Sequence, residues 1–310
     1  MLELDRVLVV MDSDLEAHLA LDKALHLERL SEFEIKLITC DYTQYLVEGY
    51  YFDAIQLPQL REDYLAKGRA ALTALTDPLR ESGLSILTDA LWGHPPFESI
   101  VLEVSNYRAD LVIHSTRRHS KLSRMFLSHE DWQLVRTCPA PLWLVKEKKW
   151  KTRPVILAAV DPKHARGKPV GLDHKIVRYA QQLAACIDAD LHVMHSYCQI
   201  PLSGTYPAQA LKDHQAAFTQ LMGDFEIPEQ NRHLVEREAD LALQDLEKEL
   251  DVDIIVMGAV SRSRLSDALI GNTAERVLDY LESDVFIVKP DGFVSPIKAC
   301  NSHSLDSIRD

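Results

Sequence analysis

The residues best suited to chemistry lie in one run of the second half of the chain. Ile254, Ile255, Val256 and Met257 are apolar, and Gly258, Ala259, Val260 and Ser261 follow them; after nine further residues come Gly271, Asn272 and Thr273. The apolar run suits a strand buried on both faces. Beyond Gly271, Ala274, Val277, Leu278 and Leu281 recur at helical spacing. Strand, glycine turn, loop, glycine and helix, in that order, offer backbone N–H groups and the positive end of a helix dipole to an anion, typically a phosphate. A plain βα turn would use the same glycines for geometry alone. Arg262 and Arg264 in the intervening loop could pair with phosphate oxygens, although such arginines are more often solvated.

Other chemistries lack their signatures. The chain has no G-x-x-x-x-G-K-[ST], no G-x-S-x-G and no H-E-x-x-H. No general base stands beside an evident nucleophile, so turnover is not expected. Lys+Arg 34 against Asp+Glu 47 gives a net charge of −13, which disfavours a phosphate-backbone partner, so no nucleic acid is expected. No apolar run approaches the ~20 residues of a membrane span. Met1 leads directly into a strand-like segment without the cationic start of an export signal. Five cysteines, Cys40, Cys138, Cys186, Cys198 and Cys300, include no C-x-x-C. An odd count without that pairing suits reduced thiols, and the expected location is the cytoplasm.

The elements that must position the motif follow from periodicity. Strands are expected at 7–11, 35–39, 84–91, 111–113 and 142–145, with helices between them, including a long one over 60–80. Residues 146–154 are charged and end in proline, as a linker would. The pattern then restarts at 155–161, again closing on an aspartate, Asp161 where the first copy has Asp12. Residues 109–115 align with 252–258 at an offset of 143, and the offset runs without a gap to Lys146 against Lys289. Two copies of one α/β unit are therefore expected, over 1–147 and 153–290, with a loose tail at 291–310.

The spacing G-x-x-G, nine residues, then glycine and a small polar residue resembles the nucleotide-binding motif of the universal stress proteins, here of the tandem two-domain kind. Ser261 stands where that family has its second glycine; where φ > 0 is needed, a serine is strained and its side chain narrows the backbone's approach to a ligand. The resemblance implies two flavodoxin-like, Rossmann-like domains, each a five-stranded parallel sheet with helices on both faces, paired within the chain as a pseudo-dimer. It implies ATP or another adenine nucleotide, with Mg as a possible companion, at the C-terminal ends of the second copy's strands. It would set Asp161 near the ribose or a metal ion on the phosphates, and Val193 with its backbone toward the adenine. Met257 and Gly258 would flank the ribose, and Ser261, Gly271, Asn272 and Thr273 would face the phosphates. Asp161 also reads as a turn cap before Pro162, and Val193 as apolar core.

The first copy has lost the pattern. Ser115, Arg118, Ser128 and His129 stand where the second copy has Gly258, Ser261, Gly271 and Asn272, so this half is not expected to bind nucleotide. His114, His119 and His129 gather around its loop, as solvated side chains or a metal or anion site. His192 and His195 are three apart on one strand and so face opposite ways. Cys186 sits in a helical apolar stripe and reads as core. The implied role is a cytoplasmic stress-response protein acting through nucleotide-dependent conformation and a protein partner, with a further homodimer compatible. The alternatives are a scaffold or binder of another small molecule, and a slow metal-dependent ATPase using Asp161.

Overall fold

The computed structural model describes residues 3–11, 18–42, 57–116, 127–163, 171–198, 207–259 and 277–298. The first half runs β1 (Arg6–Met11), α1 (Leu19–Glu28), β2 (Glu34–Asp41), α2 (Leu57–Glu81), β3 (Ile86–Trp92), α3 (Pro96–Tyr107), β4 (Leu111–Ser115), α4 (His129–Thr137) and β5 (Leu142–Val145). The second runs β6 (Val155–Val160), α5 (Leu172–Ile187), β7 (Asp190–Tyr197), α6 (Pro207–Met222), β8 (Arg232–Glu236), α7 (Ala239–Glu249), β9 (Ile254–Gly258) and β10 (Asp284–Val288).

Local sequence accounts for these elements. The strands β1, β5 and β10 are almost unbroken apolar runs, as strands covered on both faces require. The helix α5 buries Leu172, Ile176, Val177, Ala180, Leu183, Ala184 and Ile187, a stripe at helical spacing against the sheet. Pro96 opens α3, where a missing N–H costs nothing. Helices α3 and α5 both stop at residues of positive φ, Arg108 at 56° and Asp188 at 51°.

All ten strands form one sheet, in the order β3-β2-β1-β4-β5-β10-β9-β6-β7-β8. Within each half every pairing is parallel, and each half has its own first strand beside its second and fourth. Among the described strands only the central pair is antiparallel: Leu144 lies opposite Val285, Trp143 opposite Phe286 and Leu142 opposite Ile287. Trp143 and Phe286 are equivalent positions of the repeat, so the axis relating the halves passes between them, as in an isologous dimer. Their rings lie 5.8 Å apart. Helices cover both faces, with α1 and α5 on one apolar cluster and α3, α4 and α7 on the other.

The repeat extends to polar contacts. Asp110 accepts from the backbone of Asp5 and Arg6, at 3.0 and 2.9 Å, and so ties the start of β1 to β4. The equivalent Asp253 accepts from Val155 at 2.8 Å and ties β6 to β9. The lysines that end the two last strands, Lys146 and Lys289, are 1% and 3% exposed. Each reaches into the other half. Lys289 Nζ donates to the carbonyls of Val135 and Arg136 in the last turn of α4, while Lys146 Nζ donates to the Leu278 carbonyl at 3.4 Å, the repeat equivalent of Val135. Cations belong at the carbonyl end of a helix. Burial moves both ammonium groups below the usual lysine range, Lys289 to about 8.

The segment between the halves is held along its length. Lys146 N donates to Asp284 at 2.8 Å and Trp150 Nε1 to the same carboxylate at 2.9 Å. Trp150 stacks on Trp143 at 5.5 Å, and the Lys23 ammonium of α1 lies 3.3 Å from the centre of the Trp150 ring. Lys148 binds Asp251 at 2.7 Å. Of the expected tail, Asp291 pairs with Lys175 at 2.7 Å and Ile297 packs on the core. Residues 299–310 lie outside the described residues.

The buried Lys289 gives a pH signature. Its folded-state affinity for a proton is depressed, so between about pH 8 and 10 the unfolded chain binds more protons and stability rises with pH. Relative to Lys289→Met, the wild type should gain up to about 3 kcal/mol over that window, measured by urea unfolding. A pH-independent difference would mean that the ammonium is solvated in the folded protein.

Candidate functional site

The C-terminal ends of β6, β7 and β9 form one edge of the second half. Ala159 pairs with Met257, and Ala158 with both Val256 and Val193. Asp161 follows β6, Gly258 ends β9 and Val193 lies one strand away. The structure thus brings together Asp161, Val193, Met257 and Gly258. The other four residues expected to face the phosphates, Ser261, Gly271, Asn272 and Thr273, lie outside the described residues, as do Arg262, Arg264, Asp12, Arg118 and His119.

Each described residue has a physical setting. The Val193 side chain is fully buried with Ala158 and Ile156, so only its backbone could meet a ligand. Met257 is buried on the opposite face. Gly258 is pressed by the first turns of α5: a Cβ there would lie 2.9 Å from Leu172 Cδ2 and 3.1 Å from Ile176 Cδ1. Asp161 is fixed through its backbone, whose N–H donates to the Asp173 carboxylate at 2.9 Å. That carboxylate sits in the first turn of α5, where negative charge is favoured. The Asp161 side chain is 43% exposed, with its carboxylate 3.9 Å from His195 Nδ1. Lys163 beyond it pairs with Asp213 of α6 at 2.7 Å.

The corresponding edge of the first half is filled by its own side chains. Ser115 Oγ accepts from Ala20 N at 3.1 Å, which satisfies a free donor of the first turn of α1. Ser128 caps α4: its hydroxyl accepts from Asp131 N at 3.0 Å, and its own N–H donates to Asp131 Oδ2 at 2.7 Å. Asp131 Oδ1 lies 2.8 Å from His114 Nε2. The carboxylate is 2% exposed, and its pKa is lowered: burial raises it, but hydrogen bonds from His114 and Ser128 outweigh burial. An internal anion therefore occupies the helix start where the second half is expected to receive a phosphate. The second half has Met257, Gly271 and Ala274 at the positions of His114, Ser128 and Asp131, and none can reproduce this lock.

Sequence reasoning read Asp131 only as part of a helix; the signal was its alignment with an alanine. It also left His192 and His195 without partners. Both have histidine partners, His233 at 3.0 Å and His214 at 2.8 Å. Around the first half's loop, His114 takes Asp131 and His129 meets Gln133 at 3.3 Å. Cys186 is half-buried against the core. Among the described residues no group of three His, Cys, Asp or Glu could hold a metal ion.

Comparison with known proteins accords with this geometry. The sequence model of the universal stress protein family matches residues 3–146 and again 155–289. Universal stress protein E of Photorhabdus laumondii is 29% identical over 309 residues, covering 94% of this chain and 97% of the relative. Universal stress protein E of Escherichia coli K12 is 26% identical over 303 residues, covering 94% and 96%. A crystal structure of a functionally unknown protein from Pseudomonas aeruginosa PAO1 is 30% identical, with a TM-score of 0.76 and 93% of each chain covered. A universal stress protein from Archaeoglobus fulgidus, 15% identical with a TM-score of 0.63 and covering 92% and 98%, shares the fold.

The internal carboxylate of the first half is testable by stability. Asp131→Asn should cost about 1–3 kcal/mol at neutral pH, since it removes a charged acceptor from a buried cap. The Asp131 pKa is depressed, so its contribution is present above the ordinary carboxylate range and is lost as pH falls from there through the lower folded-state value. The gap between variant and wild type should therefore begin to shrink below about pH 4 and go on shrinking as the pH is lowered further, as read from thermal unfolding. A gap that stays constant as the pH is lowered through this range would remove the charge from the explanation.

Proposed function

The chain belongs to the universal stress protein family, in its tandem form, and from that premise we propose that it is a stress-response protein whose second half binds ATP or a related adenine nucleotide. Its first half is a filled copy that serves as structural partner. The single observation that carries this reading is the contrast between equivalent edges. Ser115 satisfies the start of α1, and His114, Ser128 and Asp131 close the start of α4 with an internal anion, while their second-half equivalents Gly258, Met257, Gly271 and Ala274 bring neither a hydrogen-bonding side chain nor a charge.

In this reading Asp161, whose backbone Asp173 holds at the end of β6, receives a ribose hydroxyl or a metal ion on the phosphates. Val193 turns its backbone to the base, and Met257 and Gly258 flank the ribose. Ser261, Gly271, Asn272 and Thr273 take the phosphates, with Mg as their companion. Among the described residues of this edge none pairs a nucleophile with a base, and in this reading binding acts through conformation and a protein partner rather than turnover. No helix among the described residues is long and apolar enough to cross a membrane, and the reading is of a protein acting in the cytoplasm, with the domains at 1–147 and 153–290.

Calorimetric titration of ATP, with and without Mg, tests this. One site per chain is expected, weakened at least about tenfold in Asp161→Ala, which is a loss of roughly 1.4 kcal/mol. Ser261→Gly should tighten binding if the serine narrows the cradle. Absence of binding at millimolar ATP would leave the scaffold reading, and ATP-dependent phosphate release abolished in Asp161→Ala would establish the ATPase reading instead.

A further inference from the structure

The strand β7 carries one histidine toward each face of the sheet, and each is hydrogen-bonded to a histidine of the adjacent outer element. His195 lies on the α6 side, 1% exposed. Its Nδ1 donates to the Val160 carbonyl at 3.2 Å, since a carbonyl can only accept. Its Nε2 is then the acceptor, and His214 Nδ1–H of α6 donates to it at 2.8 Å. The His214 ring stacks on Tyr197 at 5.1 Å, and Phe218 borders His195 at 6.0 Å. On the other face, His192 Nδ1 and His233 Nε2 of β8 are 3.0 Å apart, with the rings stacked.

Each contact needs one imidazole nitrogen without a proton. Two imidazolium rings in the same place would set N–H against N–H and positive charge against positive charge. Neutral pairs hold the edge together, and doubly protonated pairs push it apart. Burial lowers the pKa of His192, His195 and His233, so the folded edge favours the neutral forms.

The surrounding charges say where protonated rings would go. Facing the His195 pair are Asp161 after β6, Asp173 of α5, and Asp213 of α6, already paired with Lys163; Tyr197 of β7 is bonded to Glu236 of β8. Facing the His192 pair are Asp190 at the start of β7 and Glu249 at the end of α7. A protonated His195 thus has a carboxylate, Asp161, 3.9 Å away to exchange for His214.

We propose that this outer edge is an acid-sensing switch, in which the two histidine pairs fasten α6 and β8 to β7 at neutral pH and release them when both rings of a pair are protonated. The switch is independent of whether nucleotide binds. It lies within the second half alone: the first half has Lys36 and Thr39 at the positions of His192 and His195, and Lys36 there pairs with Glu103 at 2.6 Å. Release shifts His195 toward Asp161 and so alters the edge described above.

Amide hydrogen exchange of the full chain at pH 7 and pH 5, corrected for intrinsic rates, tests the switch. Residues 209–222 and 232–236 should exchange at least about tenfold faster at the lower pH, with β9 and β10 unchanged, and H214Q/H233Q should stay protected. Equal acceleration in that variant, or none in the wild type, overturns the proposal. Should H214Q/H233Q fail to fold, the ring resonances of the wild type decide. His192, His195 and His233 must titrate together with the loss of protection, below the ordinary histidine range. Titration with protection intact overturns the proposal.

Discussion

The antiparallel contact of β5 with β10 fixes everything else about this molecule. It joins two parallel five-stranded sheets at strands that would otherwise be exposed edges, with unpaired N–H and C=O groups. Pairing equivalent strands of a duplicated unit satisfies both edges by one two-fold contact, and Trp143 against Phe286 marks its axis. The same operation explains why two fully buried lysines are tolerated. Lys289 finds the carbonyl end of α4 in the opposite half, where a cation is stabilised, and Lys146 finds the Leu278 carbonyl there. Removing either half would leave the other with a bare strand and without the opposite half's buried lysine.

That junction also sets the direction of the two edges. Strands of the second half run opposite to those of the first, so the C-terminal edges open on opposite sides of the sheet. A ligand at one edge cannot touch the other. Duplication therefore freed the first edge to change without damaging the second. Its helix start is closed by Asp131, Ser128 and His114, contacts that stabilise the fold and remove the need for a bound anion. The linker shares in the junction through Trp150 and Asp284, which makes the two halves one packed body.

Much of this was legible in the sequence, and the limits have physical causes. Apolar runs and helical stripes report burial directly, so the strands and helices appear close to where periodicity sets them. Boundaries moved where a neighbour decided them: α2 runs through Pro78 to Glu81, and β3 begins at Ile86, where its pairing with Ile35 of β2 starts. The repeat was legible because equivalent residues recur at one offset. Partners across the fold were not. His192 and His195 correctly read as facing apart, yet nothing local says that His233 and His214 await them. The lysines at 146 and 289 ended the repeat on the page, but their exchange between halves is a property of the junction. Asp131 stood only as part of a helix because its role depends on His114, a residue of β4 brought beside it only by folding.

The claim that one edge is closed from within and the other open is tested most directly by locating the ligand. Amide exchange of the intact chain with and without ATP should show new protection at residues 158–161 and 256–259, at the ends of β6 and β9, and none at 113–116, at the end of β4. Protection appearing at the end of β4, or at neither edge at saturating ATP, would contradict the division into a closed half and an open one.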